Sequence, residues 1–138
     1  MTGYLLDTNV ISELRKPRPH GGVIAWLQTL HESHIHLSAV TLGELQAGVE
    51  RTRRDDPAKA VEIELWIDEL GASYQVLPMD VPCFREWARL MQGQSNQVIE
   101  DMMIAATARV HQLTLATRNL RDFAKLDLQL LNPFDPRP

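Results

Sequence analysis

Four carboxylates in this sequence lie where a predicted strand gives way to a predicted helix. Asp7 follows an apolar run at residues 4–6, and Glu44, Asp101 and Asp122 each lie near the start of a later helical segment. Alternating strands and helices predict parallel β-α-β units with right-handed crossovers. In such sheets ligands bind in the crevice beyond the carboxyl ends of the strands. The sequence therefore predicts one crevice on which all four acids converge.

A cluster of this kind predicts a divalent cation. Neighbouring carboxylates repel and raise each other's pKa unless positive charge lies among them. No His or Cys accompanies these acids at ligand spacing, which disfavours zinc, whereas oxygen ligands suit Mg²⁺ or Mn²⁺. The chemistry that needs this arrangement is phosphodiester hydrolysis, because a metal activates the attacking water and stabilises the leaving oxygen. A metal would also let an acidic pocket, in a chain of net charge −4, receive a phosphate.

Uncharged polar residues accompany two of the predicted strand ends. Thr8 and Asn9 follow Asp7 and shape the turn into the first helix, while Thr117 and Asn119 follow the fourth predicted strand. Thr117 and Asn119 are suited to orient a carboxylate or a bound water. A turn with an Asn cap would explain the same two residues equally well.

Helix capping is the alternative interpretation of the acids themselves. An Asp ahead of a helix satisfies free N–H groups in its first turn, so Asp7 alone is explained as well by a cap as by a site. Thr41 and Glu44 have the spacing of a capping box. Only the convergence of several acids favours a site over a set of caps.

The hydrophobic pattern predicts an α/β fold, a three-layer α/β/α sandwich with a mostly parallel central sheet of four to five strands. The predicted strands are residues 4–6, 35–37, 74–77, 113–116 and 126–131. The predicted helices are a short one after Asp7, then residues 23–31, 38–49, 58–70, 81–91 and 98–108, and a short one at 121–123.

The domain organisation follows from the same pattern. We expect a single domain over residues 1–132, with a helical arm at about 38–71, and a Pro-rich tail at 133–138. The charged residues Arg51, Arg53 and Arg54 are expected at a solvated hairpin tip between the two helices of the arm, with a phosphate-binding patch as the less favoured alternative. The arm itself is a candidate surface for dimerisation or for a partner.

Composition narrows the class of protein. Apolar residues make up 44% of the chain and charged residues 23%, as in ordinary globular proteins. No run is long enough to span a bilayer, and the first strand begins too early to leave room for a signal peptide, so we expect a cytoplasmic protein. The one cysteine, Cys83, excludes an intramolecular disulfide and a thiolate cluster.

Four motifs, in order, resemble those of PIN-domain toxins of the VapC and FitB type, which are ribonucleases of bacterial type II toxin–antitoxin pairs. The motifs are LLDTNVISEL with Asp7, TLGEL with Glu44, EDMMIAATA with Asp101, and ATRNLRDF with Thr117, Asn119 and Asp122. The resemblance covers nearly the whole chain. It implies an Mg²⁺- or Mn²⁺-dependent endoribonuclease whose metal and catalytic residues are Asp7, Glu44, Asp101 and Asp122.

The resemblance also implies partners. These are an RNA substrate, a second copy of the chain in a homodimer, and a cognate antitoxin whose C-terminal segment lies across the acidic pocket. In the third motif the site role falls to Asp101, and Glu100 is expected on the neighbouring face of the helix.

Two other functions remain open. In a phosphatase or phosphotransfer domain Asp7 would be the nucleophile, although Asn9 replaces the second Asp of the dehalogenase pattern and Arg118 the Lys of a receiver domain. In a non-catalytic binding module the acids would serve only as caps.

Overall fold

Five short parallel strands form the sheet in the computed structural model, which describes residues 3–135. The strands are β1 (Tyr4–Leu6), β2 (Ile35–Ser38), β3 (Gln75–Leu77), β4 (Thr114–Ala116) and β5 (Leu130–Leu131). Their order is β3-β2-β1-β4-β5, and every neighbouring pair is parallel. The predicted α/β class and parallel sheet are confirmed.

Helices cover both faces of this sheet. They are α1 (Thr8–Glu13), α2 (Gly21–Gln28), α3 (Ala39–Asp55), α4 (Pro57–Ser73), α5 (Val81–Leu90), α6 (Ile99–Val110) and α7 (Leu120–Phe123). Side chains alternate along β1, so Leu6 packs with α1 to α4 on one face and Leu5 with α5 to α7 on the other. Both leucines are fully buried, and two apolar cores hold the three layers together.

The strand order places the end of β1 at the centre of the molecule. From β1 the chain moves outward to β2 and β3, and later returns to β4 on the opposite side of β1. This reversal is a topological switch point, where open α/β sheets bind ligands. The N–H of Asp7 donates to the carbonyl oxygen of Ala116 at 2.9 Å, which fixes Asp7 at the carboxyl ends of β1 and β4.

The hairpin tip of the arm lies later in the chain than the three arginines predicted to form it. Helix α3 continues to Asp55, so Arg51, Arg53 and Arg54 lie on its last turns, and only Asp56 separates α3 from α4. Basic residues in a last turn are stabilised by the helix macrodipole. Arg53 also forms an ion pair with Glu64 of α4 at 3.1 Å, and this pair joins the two helices of the arm.

Two other boundaries differ from the sequence prediction. The strand expected at 126–131 is confined to Leu130–Leu131, because Leu126 closes a turn after α7 by donating its N–H to Phe123 at 3.1 Å. Helix α2 begins at Gly21, two residues before the predicted start at residue 23, because the ring of His20 accepts the N–H of Gly22 and caps the helix.

The division into one domain and a tail stays a prediction, and residues 136–138 of that tail lie outside the described residues. Within residues 3–135 no helix is both long enough and apolar enough to cross a membrane.

Candidate active site

Asp7 is the most constrained of the four acids. Its residue is 3% exposed, and it caps α1 because Oδ1 accepts the N–H of Thr8 at 2.7 Å. The other oxygen, Oδ2, accepts the hydroxyl of Thr117 at 2.8 Å and the side-chain amide of Asn9 at 3.3 Å. Burial raises the pKa of Asp7, and these bonds oppose that rise by stabilising the charged form. Asp7 is therefore a cap and a positioned carboxylate at once.

Glu44 is tied to α1 by a single hydroxyl. The O–H of Thr8 donates to Glu44 Oε1 at 2.7 Å and lies 3.0 Å from the hydroxyl of Thr41. The cap of α3 is Ser38, which accepts the N–H of Val40, so Thr41 and Glu44 form no capping box. Burial raises the pKa of Glu44, and nearby negative charge adds to that effect.

Asp101 carries the clearest sign that the acids converge. It lies in the first turn of α6, and its pKa is raised to about 6, first by burial and then by the charges of Asp7, Glu44 and Asp122. A charge raises the pKa of another carboxyl group in this way only when the two groups are near one another. Helix α6 and α7 therefore bring Asp101 and Asp122 to the crevice already occupied by Asp7 and Glu44.

Polar contacts also join the ends of β1 and β4. Thr117 is fully buried, and its Oγ accepts the N–H of Asn119 at 3.0 Å while donating to Asp7. Asn9 donates to Thr117 Oγ at 3.3 Å and accepts the N–H of Arg118 at 3.2 Å. The side chain of Asn119 makes no cap bond to α7, although the residue occupies the cap position.

Glu100 affects the pKa of other acids of the site, which the sequence analysis did not predict. Glu100 is exposed, yet its charge contributes to the raised pKa of both Glu44 and Asp101. The sequence position of Glu100, next to Asp101 in the first turn of α6, could have indicated this effect. The potential of the crevice thus depends on five carboxylates.

The donor set fits a hydrated hard cation. Every candidate ligand is an oxygen, and the raised pKa of Asp101 marks a surplus of negative charge that a cation would relieve. Among the residues that the structure describes, no group of three or more His, Cys, Asp or Glu side chains is placed so that it could hold a metal ion by itself. Mg²⁺ commonly keeps several waters and takes only one or two carboxylates directly. Asp7 and Asp101 are the residues best suited to that role, with Glu44 and Asp122 completing the negative field.

A groove of about 400 Å³ opens beside Thr8 and Glu44 and runs between α1, α3 and α4 as far as Trp66. A larger cavity, about 550 Å³, lies around Thr114 at the opposite end of β4. None of the four acids lines that cavity, whereas Glu44 lines the smaller groove, which therefore borders the acidic site.

Comparisons with known proteins agree with this geometry. The PIN-domain family model matches residues 4–128. The toxin FitB of Neisseria gonorrhoeae is 37% identical over 136 residues, which cover 94% of this chain and 97% of FitB. The VapC ribonuclease Y4jK of Sinorhizobium fredii is 36% identical over 137 residues, covering 96% of this chain and 98% of the relative.

Solved structures show the same similarity. A structure of FitAB bound to an IR36 DNA fragment has a TM-score of 0.81 and 33% identity, with 98% of each chain covered. FitAcB from Neisseria gonorrhoeae has a TM-score of 0.79 and 34% identity, covering 95% of this chain and 98% of that one.

Proposed function

The chain belongs to the PIN-domain family, and on this premise we propose that it is the endoribonuclease toxin of a toxin–antitoxin pair. Its acidic crevice hydrolyses RNA phosphodiester bonds with the help of Mg²⁺ or Mn²⁺. The relatives at 37% and 36% identity are named as a toxin and as a ribonuclease, and each aligns over nearly the whole chain.

One observation carries the assignment of the site. Asp101 has a pKa raised to about 6 by burial and by the charges of Asp7, Glu44 and Asp122. Acids that only cap helices have no reason to gather at a topological switch point at the cost of mutual repulsion. Perturbed carboxylates in such a crevice are typical of functional sites.

In the proposed reaction the residues of this chain hold charge and orientation. Thr117 and Thr8 keep Asp7 fixed through its two oxygens, and the hydroxyl of Thr8 fixes Glu44. Asp7 and Asp101 would hold the divalent ion, which would supply water activation and charge neutralisation at the scissile phosphate. Since Asp101 exchanges its proton near pH 6, protons and the ion compete for this carboxylate.

The test is cleavage of a single-stranded RNA by purified, antitoxin-free protein, with Mn²⁺ and with a chelator. We expect cleavage only with the ion, and a loss of about a hundredfold or more in Asp101→Asn. Asp68→Asn is the matched control, because Asp68 is an exposed acid on α4. Cleavage that persists in the chelator, or an undiminished Asp101→Asn, would refute the proposal.

A homodimer and a cognate antitoxin complete the proposed assembly. Helix α4 exposes Val61 (49%) and Leu65 (59%), an apolar surface that supports pairing of two copies through the arm. Solved structures similar to this chain are those of FitAB and FitAcB, which supports an antitoxin partner here. Sedimentation of the wild type beside Leu65→Glu tests the dimer, and we expect only the variant to be monomeric. We propose a cytoplasmic location, which an RNA substrate of this kind supports.

The alternative of a phosphatase with Asp7 as nucleophile has less support. Asn9 stands where the dehalogenase pattern has its second Asp, and Arg118 stands where a receiver domain has its Lys. A module without catalysis would not explain the mutual repulsion of the acids.

A further inference from the structure

The groove beside the acids has matching polar stripes on its two walls. One wall comes from α1 and the turn after it, the other from α3, and the residues concerned are Thr8, Ser12, Arg15, Glu44, Gly48 and Arg51. On each wall the residues are spaced i, i+4 and i+7. This spacing places the three residues of α3 on one helical face, whereas Arg15 lies in the turn after α1 ends at Glu13. We call this the arginine groove.

The arginine groove has an acidic end and a basic end. At the acidic end Thr8 donates to Glu44 at 2.7 Å, and the acids of the site lie beyond. Arg51 follows Glu44 by seven residues, which separates their backbones by ~10 Å along the helix axis at 1.5 Å per residue. On the other wall Arg15 also follows Thr8 by seven residues, and it lies in the turn after the end of α1 at Glu13.

Small residues keep the middle of the arginine groove open. Ser12 and Gly48 occupy the i+4 positions. A Cβ atom added to Gly48 would meet only the guanidinium of Arg51, at 3.6 Å. Backbone of a ligand can therefore approach α3 at this position, between the acids and the arginines.

The two arginines at the basic end lack acidic partners within residues 3–135. Arg53, two positions after Arg51, is paired with Glu50 and Glu64, whereas no carboxylate pairs with Arg15 or Arg51. Arg15 lies over the ring of Trp66, 6.0 Å from its centroid. A guanidinium without a carboxylate partner is suited to bind a phosphate.

We propose that the arginine groove holds the RNA strand next to the cut, with Arg15 and Arg51 binding a backbone phosphate neighbouring the scissile one. This rests on the proposed ribonuclease function, because the groove is continuous with the acidic site through Thr8 and Glu44. Arg15 and Arg51 are positioning residues, since they contact a part of the substrate that does not react. An acidic peptide is the competing occupant, and the test separates the two.

The test compares the steady-state kinetics of the wild type with those of Arg15→Gln, Arg51→Gln and the double variant on a single-stranded RNA. Each single change should raise KM about tenfold, with kcat nearly unchanged, because one charge-assisted phosphate contact is lost. The slope of log(kcat/KM) against log salt concentration should fall by about 0.7 for each arginine removed. A purely structural role would not change this slope.

Two variants serve as controls. Arg54→Gln removes an exposed positive charge from the same helix, outside the groove, and should leave KM and the salt slope close to wild type. Arg51→Lys keeps the charge, so it should retain the slope while losing part of the affinity. Equal effects of Arg54→Gln and Arg51→Gln would overturn the inference, because only net charge would then matter.

Binding measured without cleavage separates this inference from the proposed function. Fluorescence anisotropy of a labelled RNA on Asp101→Asn protein should show weaker binding when Arg51→Gln is added. If the wild type fails to cut RNA but this dependence holds, the ribonuclease proposal fails and the groove assignment stands. If the wild type cleaves RNA but neither arginine substitution changes KM, the salt slope or RNA binding, the groove assignment fails and the ribonuclease proposal stands. Loss of oligoglutamate binding, with RNA binding intact in the double variant, would assign the groove to an acidic peptide and overturn the inference.

Discussion

Thr117 donates its hydroxyl hydrogen to Asp7 Oδ2 across 2.8 Å, although the two residues are 110 positions apart in the chain. The bond joins the carboxyl ends of β1 and β4, and both side chains are buried. Among the influences that lower the pKa of Asp7 against the effect of burial, the Thr117 bond is the largest. Thr117 therefore does most to keep a buried carboxylate ionised.

Removing this hydroxyl should weaken both the fold and the site. In Thr117→Val, Asp7 loses its strongest opposing influence, so its already raised pKa rises further. We expect the acidic limb of the pH–rate profile for RNA cleavage to move to higher pH. The free energy of unfolding should fall by about 1–3 kcal/mol, because a buried carboxylate loses a partner. Cleavage rates between pH 5 and 8 and urea denaturation measure the two effects.

Thr114→Val is the matched control for that experiment. Thr114 is also buried on β4, but it lies at the other end of the strand and its hydroxyl makes a long bond of 3.4 Å to Gln129. This variant should lose little stability and keep the acidic limb in place. An identical shift of the limb in both variants would show that the strand, and not the Thr117 bond, controls Asp7.

Replacing Asp101 should abolish activity and yet stabilise the protein. Its pKa is raised from 3.8 to about 6 in the fold, so the native state binds more protons than the unfolded state between about pH 4 and pH 6. Stability is therefore lost as the pH rises through that window. The Asp101→Asn variant has no carboxyl group to ionise and therefore does not lose this stability. We expect its free energy of unfolding at pH 7 to exceed that of the wild type by about 1–2 kcal/mol, a value reduced for the solvent screening of a half-buried group.

The same variant should show almost no gain at pH 4, where Asp101 is already protonated in the wild type. Chemical denaturation at pH 4 and pH 7 measures the difference. Asp68→Asn, at an exposed position, should change stability little at either pH. A gain in Asp101→Asn that does not depend on pH would contradict the electrostatic explanation.

Mn²⁺ or Mg²⁺ should stabilise the folded protein. A ligand that binds only the native state adds about 2.7 kcal/mol when its concentration is 100 times its dissociation constant. We expect the melting temperature to rise by several degrees with metal, and to rise less in Asp101→Asn. An equal ionic strength of KCl is the control, because monovalent salt also screens the repulsion among the acids. Equal shifts with KCl and MnCl₂ would argue against a specific ion.

The sequence predicted the part of the site that depends on topology. An apolar run that ends at Asp7, and acids at later strand–helix junctions, are sufficient to place carboxylates at the carboxyl end of a parallel sheet. The alternation of Leu5 and Leu6 between two cores likewise follows from the strand period of two. These features are local or periodic, which is why they could be predicted.

Contacts between distant side chains were not predictable in the same way. The Thr8–Glu44 bond depends on how α1 crosses α3, and no local pattern encodes that crossing. The extension of α3 through Arg53 depends partly on Glu64 of the next helix. The shortening of β5 depends on a turn closed at Phe123. In each case contacts between separate elements determined the structure, and the local helix or strand propensity of the sequence did not.

A last prediction concerns Gly43, an exposed residue inside α3 next to Glu44. A Cβ atom there would meet nothing within 4 Å, and alanine favours a helix interior over glycine by about 0.5–1 kcal/mol. Gly43→Ala should therefore stabilise the protein by that amount, as measured by urea denaturation. Gly93→Ala should destabilise it, because Gly93 has a φ of 78°. We expect the Gly43→Ala variant to cleave RNA normally, since the arginine groove follows Glu44, Gly48 and Arg51 on another face of α3. A fall in kcat/KM despite the gain in stability would contradict this. It would mean that the RNA strand passes over the backbone of Gly43 instead.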